Sequence, residues 1–419
     1  MAHVAGRVIS REKPLVVGVT GSVGKSSAKQ ALDAVLGAKF KVRSTPGNFN
    51  TEIGLPLTVL DLPSGGSSVW AWMGICPRAR WRSLFKIADY PEILVLEMGA
   101  DRPGDIDRLC DIAPPSIGVV TAVGESHLEK FKSLEAIEKE KGRLIERLPA
   151  DGLAVLNRDD ERVWAMRERT EAKVMSFGYH EQADVRVLPD SVNYVLDDER
   201  SGTQFKVSAD GNTVPMFLTG VAGRHALYAA GAAVVVGLHK GLNLLEIADA
   251  LLKYQPAPGR MRVLPGIKRS FLIDDTYNSA PKSVQAALAL LDEMPRNSAD
   301  DKKFAVLGDM LELGETSVAA HREVGAAAEK VADVLVFVGE RMTEAEQAAR
   351  EAGAGEERIF HFARSEEAGR FVQERMKRGD VILVKGSRGM EMERTVKELL
   401  ATPMLAKQLL VKFHAEWEL

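Results

Sequence analysis

Cysteine is nearly absent. Cys76 and Cys110 are the two in 419 residues, too few for a disulfide framework, so a reducing, cytoplasmic setting is expected. Charge of one sign is missing as well: 55 Lys and Arg against 59 Asp and Glu leave a net −4, which lacks the signature of a nucleic-acid partner. No apolar stretch reaches the roughly eighteen uninterrupted residues of a membrane span. The leading MAHVAGRVISREKP has no signal-peptide core. What remains reads as a soluble, enzyme-sized chain with room for two or three domains.

What is present is organised around residues 15–36, LVVGVTGSVGKSSAKQALDAVL. An apolar run (Leu15, Val16, Val17, Val19) meets glycines 18, 21 and 24, and an amphipathic pattern through Ala28, Ala31, Leu32, Val35 and Leu36 follows. Strand, glycine loop and helix in that order aim backbone N–H groups and a helix N-terminus at one anion. Gly21, Ser22, Val23, Gly24, Lys25, Ser26 and Ser27 would cradle a nucleotide's phosphates, with Lys25 on the β/γ-phosphates and the Ser26 hydroxyl on Mg²⁺. Val19 stands where the common Walker pattern has glycine, so the loop is a particular subtype.

Further along, a short strand is predicted at 39–42, then a polar loop with Pro46, Gly47, Asn48 and Asn50 leading into an apolar run. Residues 64–87 change composition abruptly: Trp70, Trp72 and Trp81 are interleaved with Arg78, Arg80, Arg82 and Lys86. Such a segment lies on a membrane interface or docks a partner, or else forms a lid or satellite core with snorkelling arginines. A strand over 93–98 brings the Glu97 carboxylate to the carboxyl edge of an open sheet, where metal-binding groups sit. The next strand, 117–123, leads to GESHLE, in which His127 is either a metal ligand at that edge or a capping or core histidine. Lys139 and Lys141 follow among glutamates in a helix, and solvation is their default fate. Short β-like pieces from 185 suggest a small β excursion, and an Ala-rich helix begins at His225. A Pro- and Gly-dense hinge is expected at 255–265. Five strand–helix repeats then read as a second doubly wound domain.

These pieces resemble the ATP-dependent Mur ligases, and among them the branch that adds D-alanyl-D-alanine to a muramoyl tripeptide. GVTGSVGKSS at 18–27, TPGNFNTEIGLPLT at 45–58, LEMGADRPGDI at 96–106, GESHLEKFKSLEAIEKEKG at 124–142, GRMR at 259–262, DDTYNSAPKS at 274–283, VLGDMLELG at 306–314 with His321 after it, and VKGSRG at 384–389 stand in family order. The resemblance implies an α/β chain with three parts. Residues 1–257 form a P-loop central domain with a parallel sheet, carrying an aromatic and basic insertion at 64–88 and the β excursion at 185–218. Residues 258–400 form a Rossmann-like doubly wound domain, and 401–419 a helical tail.

It also implies a mechanism. An acceptor carboxylate attacks the γ-phosphate of ATP, and an amine displaces phosphate from the acyl phosphate. Lys25, Glu97, His127 and Lys141 would be catalytic, and two Mg²⁺ ions would be held by Ser26, Glu97, His127 and a carbamylated Lys141. His225, Arg260, Asp275, Tyr277 and Asn278 join the phosphate loop in nucleotide contacts. Asn48, Asn50, Thr51, Lys385, Ser387 and Arg388 fall where the family meets its substrates, and domain closure would assemble the site. The partners are then small molecules, an acceptor carboxylate and an amine, and a monomer is expected.

Two departures stand out. The phosphate loop begins at residue 18, where family members first carry a domain that grips the acceptor's UDP. Ala122 and Ala226 replace usual asparagines. An acceptor that need not carry UDP, with the Trp-Arg segment at 69–86 contacting it or a lipid-linked form of it, is one expectation from this. The alternatives are a folylpolyglutamate-type ligase, and a nucleotide switch or scaffold suggested by a DxxG at 101–104.

Overall fold

A computed structural model describes residues 1–47, 49–66, 68–124, 128–197 and 199–411. Two compact units emerge, one of Met1–Val192, Phe205–Phe217 and Arg224–Gln255, the other of Asn193–Gln204, Leu218–Gly223 and the chain from Pro256 onward. The expected α/β class is found in both.

The first sheet comprises β1 (Leu15–Thr20), β2 (Val42–Ser44), β3 (Ile93–Glu97), β4 (Ile117–Val120), β5 (Leu153–Asn157), β6 (Lys173–Gly178), β7 (Val185–Val195), β8 (Gly202–Ala209) and β9 (Asn212–Thr219), in the order β2-β3-β1-β4-β5-β6-β7-β8-β9. Strands β2 to β7 pair in parallel. Val16, Val17 and Val19 are all but fully buried, as a central parallel strand requires. β1 lies between β3 and β4, with Val19 beside Glu97 and Thr20 beside Val120. The chain goes to one side after β1 and to the other after β3, so the crevice beyond β1 is a switch point where such sheets bind ligands.

Helix Lys25–Leu36 buries Ala28, Ala31, Leu32, Val35 and Leu36 and packs on helix Arg224–His239. A Cβ on Gly237 would come within 2.8 Å of Val35 Cγ1, so glycine is what lets those helices meet. Helix Leu134–Glu146 lies against β1 and β4.

One local expectation is corrected, and two stretches left unassigned above prove to be helices. The strand expected at 39–42 begins at Val42, because the chain first turns back on the helix end through Phe40 N–H to the Leu36 carbonyl. The apolar run after the polar loop is a helix, Gly54–Leu60. The first twelve residues, given no structure above, form helix Ala2–Glu12 with Ala5, Val8 and Ile9 buried at helical spacing.

The second unit's sheet runs β10 (Arg262–Pro265), β11 (Phe271–Asp275), β15 (Val381–Lys385), β12 (Lys303–Gly308), β13 (Val334–Val338) and β14 (Ile359–Phe362). The hinge expected at 255–265 therefore contributes an edge strand. β10 pairs antiparallel with β11, and the rest are parallel. Of the tail, a turn Pro403–Leu405 and a short helix Ala406–Leu409 are described, with Leu410 buried. No described helix is long and apolar enough to cross a membrane.

Candidate active site

The glycine loop after β1 is shaped by its neighbour from β4. Gly24 has φ 82°, and a Cβ on Gly21 would stand 2.0 Å from Thr121 Oγ1. Thr121 Oγ1 lies 2.5 Å from the Val23 carbonyl and 3.2 Å from that of Thr20, so its hydroxyl donates into the loop's inner side. Ser22 completes the attachment: its N–H donates to the Ala122 carbonyl at 2.7 Å, and its hydroxyl exchanges hydrogen bonds with Gly124. Lys25 Nζ donates to the Gly21 carbonyl at 2.7 Å, so its cation lies across the loop it is meant to serve. Val23 is exposed and Ser27 half-buried at the loop's mouth.

Beneath the loop, the Ser26 hydroxyl donates to Glu97 Oε2 at 3.0 Å, and Asn50 Nδ2 donates to Oε1 at 3.1 Å. Glu97 is only 3% exposed. Lys29, a turn beyond Lys25, lies 3.8 Å from the same carboxylate and donates to the Thr45 carbonyl at 2.5 Å. Burial pulls the Lys29 ammonium below the usual lysine range, against the Glu97 and Asp33 charges that favour it. Ser26 and Glu97 offer one hydroxyl and one carboxylate. Magnesium accepts that pairing when phosphates and waters fill the other positions, so these residues fit the ion. Among the described residues no group of three or more His, Cys, Asp or Glu is arranged to hold a metal ion by itself.

Lys141 is buried in helix Leu134–Glu146, 3% exposed, whereas Lys139 on the same helix faces solvent. Burial, with the nearby Lys25 cation, brings the Lys141 amine down to about 7, although Glu140 and Asp101 act the other way. Its neighbour Glu140 accepts from the Gly104 and Ile106 N–H groups, which fixes this helix to the start of helix Asp105–Ile112. Thr51 is exposed, with Oγ1 3.4 Å from the Gly54 N–H, and His225 is exposed at the start of its helix. Asn48 and His127 lie outside the described residues.

In the second unit, β11 and β15 place Asp275 directly beside Lys385. Lys385 Nζ donates to Asp275 Oδ2 at 2.6 Å and to the Asn278 carbonyl at 2.9 Å, and the pair is almost wholly buried. Two residues expected to serve different substrates are thus bonded to each other. Asp274, fully buried, accepts from the Thr276 hydroxyl and the Gly259 N–H, and burial brings its carboxyl up to about 6. The Arg260 guanidinium stacks 3.9 Å from the Tyr277 ring centroid. Ser387 Oγ accepts from the Leu311 N–H at 2.8 Å, and Arg388 lies 3.7 Å from the buried Glu393. His321 Nδ1 donates to the Ser317 carbonyl and Nε2 accepts the Met310 N–H, so the neutral ring pins the strand-end loop.

Sequence reasoning passed over Lys29 and gave Thr121 no role of its own. A lysine between Ala28 and Ala31, on the apolar face of its helix, was the available signal for the first. Thr121 carried none, because its role depends on β1 and β4 lying side by side.

Residues 19–72 and 81–237 match the Mur ligase middle domain, and 259–388 match the Mur ligase glutamate ligase domain. The UDP-N-acetylmuramoyl-tripeptide--D-alanyl-D-alanine ligase of Bacillus subtilis is 32% identical over 391 residues, covering 93% of this chain and 76% of that protein. Its namesake in Mycobacterium bovis is 38% identical over 330 residues, covering 77% of this chain and 58% of that longer protein. Among solved structures, the MurF ligase of Thermotoga maritima in complex with ADP superposes with a TM-score of 0.74 at 30% identity, covering 97% of this chain and 83% of that one. With a phosphate loop, a buried carboxylate under it and both domain matches in register, the chain belongs to the Mur ligase family of ATP-dependent ligases.

Proposed function

We propose that this chain joins D-alanyl-D-alanine, or a closely similar amine, to the carboxylate of a muramoyl-tripeptide acceptor through an acyl phosphate. The relatives named above carry that activity in their names. The observation that carries the reading is the Ser26–Glu97 pair beneath the phosphate loop, together with a buried Lys141 amine brought near neutrality beside Lys25.

An acceptor carboxylate oxygen attacks the γ-phosphorus and ADP leaves. The amine nitrogen then attacks the acyl carbon, loses a proton, and inorganic phosphate departs with the amide formed. Phosphoryl transfer of this kind needs in-line positioning and charge neutralisation more than covalent help. Lys25 turns from the Gly21 carbonyl to the β/γ-phosphates, and the loop N–H groups bind the same oxygens. Asn50 and Lys29 hold the Glu97 carboxylate toward Ser26. Ser26 and Glu97 would hold one Mg²⁺, and a carbamylated Lys141 with His127 a second, and the ions would supply the remaining positive charge.

A neutral Lys141 amine is the form that adds CO₂, and its burial maintains that form near pH 7. In the second unit, Asp275, Tyr277, Asn278 and Arg260 serve the nucleotide, while Lys385, Ser387 and Arg388 serve the amine. The enzyme acts as a cytoplasmic monomer on small molecules, without nucleic acid. Phosphate release measured over acceptor and amine pairs tests this: a muramoyl tripeptide, UDP-linked or UDP-free, with D-Ala-D-Ala should turn over. Turnover only with folate and glutamate would replace the reading with its folylpolyglutamate alternative.

A further inference from the structure

Helix Val69–Leu84 has two apolar faces, and the fold uses one. Ile75 and Ala79 are buried, and the helix is held at both ends. Ser68 caps the first turn. The Arg11 guanidinium binds the Arg82 and Ser83 carbonyls at 2.9 Å, and Arg82 reaches the Leu60 carbonyl. This is an ordered platform built on helix Ala2–Glu12.

The opposite face carries Trp70, Met73, Trp81 and Leu84, which with Pro77 follow three- and four-residue steps. They are 80%, 60%, 65% and 57% exposed, so the stripe, about 21 Å long at 1.5 Å per residue, points at solvent. Phe85 extends it, with its ring centroid 4.4 Å from that of Trp81. A lid or satellite core would cover such side chains; the fold leaves them bare.

The charge around the stripe selects its occupant. No Asp or Glu occurs between Asp61 and Asp89, whereas Arg78, Arg80 and Lys86 are exposed beside the apolar residues. Arg78 and Arg80 make no ion pair among the described residues, Arg82 is turned inward to Asp61, and Lys86 feels Glu12. A second copy of the chain meeting this face through a two-fold axis would bring cation against cation. An anionic lipid surface offers what the face lacks: negative headgroups for the arginines and an interfacial zone for tryptophan. The middle-domain match breaks off at 72 and resumes at 81, so the heart of this helix lies outside what the family's reaction shares.

We infer that helix Val69–Leu84 docks the enzyme on the surface of an anionic bilayer, its Trp70–Leu84 stripe in the headgroup region and Arg78, Arg80 and Lys86 on the lipid phosphates. The inference stands apart from the choice of acceptor.

Flotation of the full chain with vesicles of phosphatidylcholine alone, or mixed with phosphatidylglycerol, tests it. The wild type should float with the anionic vesicles, with blue-shifted tryptophan emission, and release as salt rises. Arg78→Glu with Arg80→Glu should weaken partitioning at least roughly tenfold, and Trp70→Ser with Trp81→Ser should do so comparably. Both variants should keep the far-UV spectrum and the melting temperature of the wild type in lipid-free solution. Failure to float with either vesicle, or equal flotation of wild type and both variants, overturns the inference. So does a concentration-dependent doubling of mass in light scattering that the tryptophan variant abolishes, which would make the occupant a second copy.

Discussion

Replacing Lys141 by methionine should make the protein more stable and inactive. The amine stands at about 7 instead of 10.5, which corresponds to about 5 kcal/mol against the ammonium in the folded state. Relaxation toward water reduces what is observed, and a gain of roughly 2 kcal/mol is the expected outcome at pH 7. The sign follows from linkage. A lysine whose folded value is depressed weakens the fold fully below pH 7, and the deficit fades as pH rises from about 7 to 10.5. The advantage of Lys141→Met should therefore be largest in mildly acid buffer and vanish in alkali. The proposed carbamylation would give the wild type another route, because adding CO₂ to the neutral amine would remove the buried ammonium. After CO₂-free dialysis, bicarbonate should raise the wild-type melting temperature and leave that of Lys141→Met unchanged. Thermal melts with and without bicarbonate, alongside phosphate release, make the assay. A variant that melts below the wild type, or that still ligates, would refute the reasoning.

Glu97→Gln keeps the shape beneath the loop but removes the charge, and should lower acceptor-dependent phosphate release by at least roughly a thousandfold. Thr121→Val removes the hydroxyl that donates into the loop, so the KM for ATP should rise several-fold with kcat less affected. In the second unit, Asp275→Asn leaves the buried Lys385 ammonium without its partner and should cost about 3–5 kcal/mol in urea denaturation; adding Lys385→Met should recover much of it.

The sequence made most of this architecture readable because each buried parallel strand is a continuous apolar run and each helix repeats its apolar positions. β1, β3 and β4 could be placed from Val16–Val19, the run to Glu97 and the run from Ile117, and the strand-to-glycine-to-lysine order located the phosphate loop. Helix Ala2–Glu12 carried the same kind of signal in Ala5, Val8 and Ile9. It is weak because only three of eleven residues are buried. β10 was hidden by Pro265 at its end and by the Pro- and Gly-dense stretch before it, which together read as a hinge, whereas a terminal proline suits an edge strand. The side-chain partnerships were less legible. Nothing in the spacing of Asp275 and Lys385, 110 residues apart, reveals that β15 inserts next to β11 and pairs them. Glu97 could be named as a carboxylate at a sheet edge, but Asn50 and Lys29 on either side of it come from a loop and a helix whose approach only the fold determines.

The most direct measurement follows oxygen. With an acceptor whose reacting carboxylate carries heavy oxygen, ATP and D-Ala-D-Ala, attack of that carboxylate on the γ-phosphate predicts one labelled oxygen in the inorganic phosphate for each amide formed. Amide accompanied by label-free phosphate, or phosphate released with no amide at all, would contradict the account.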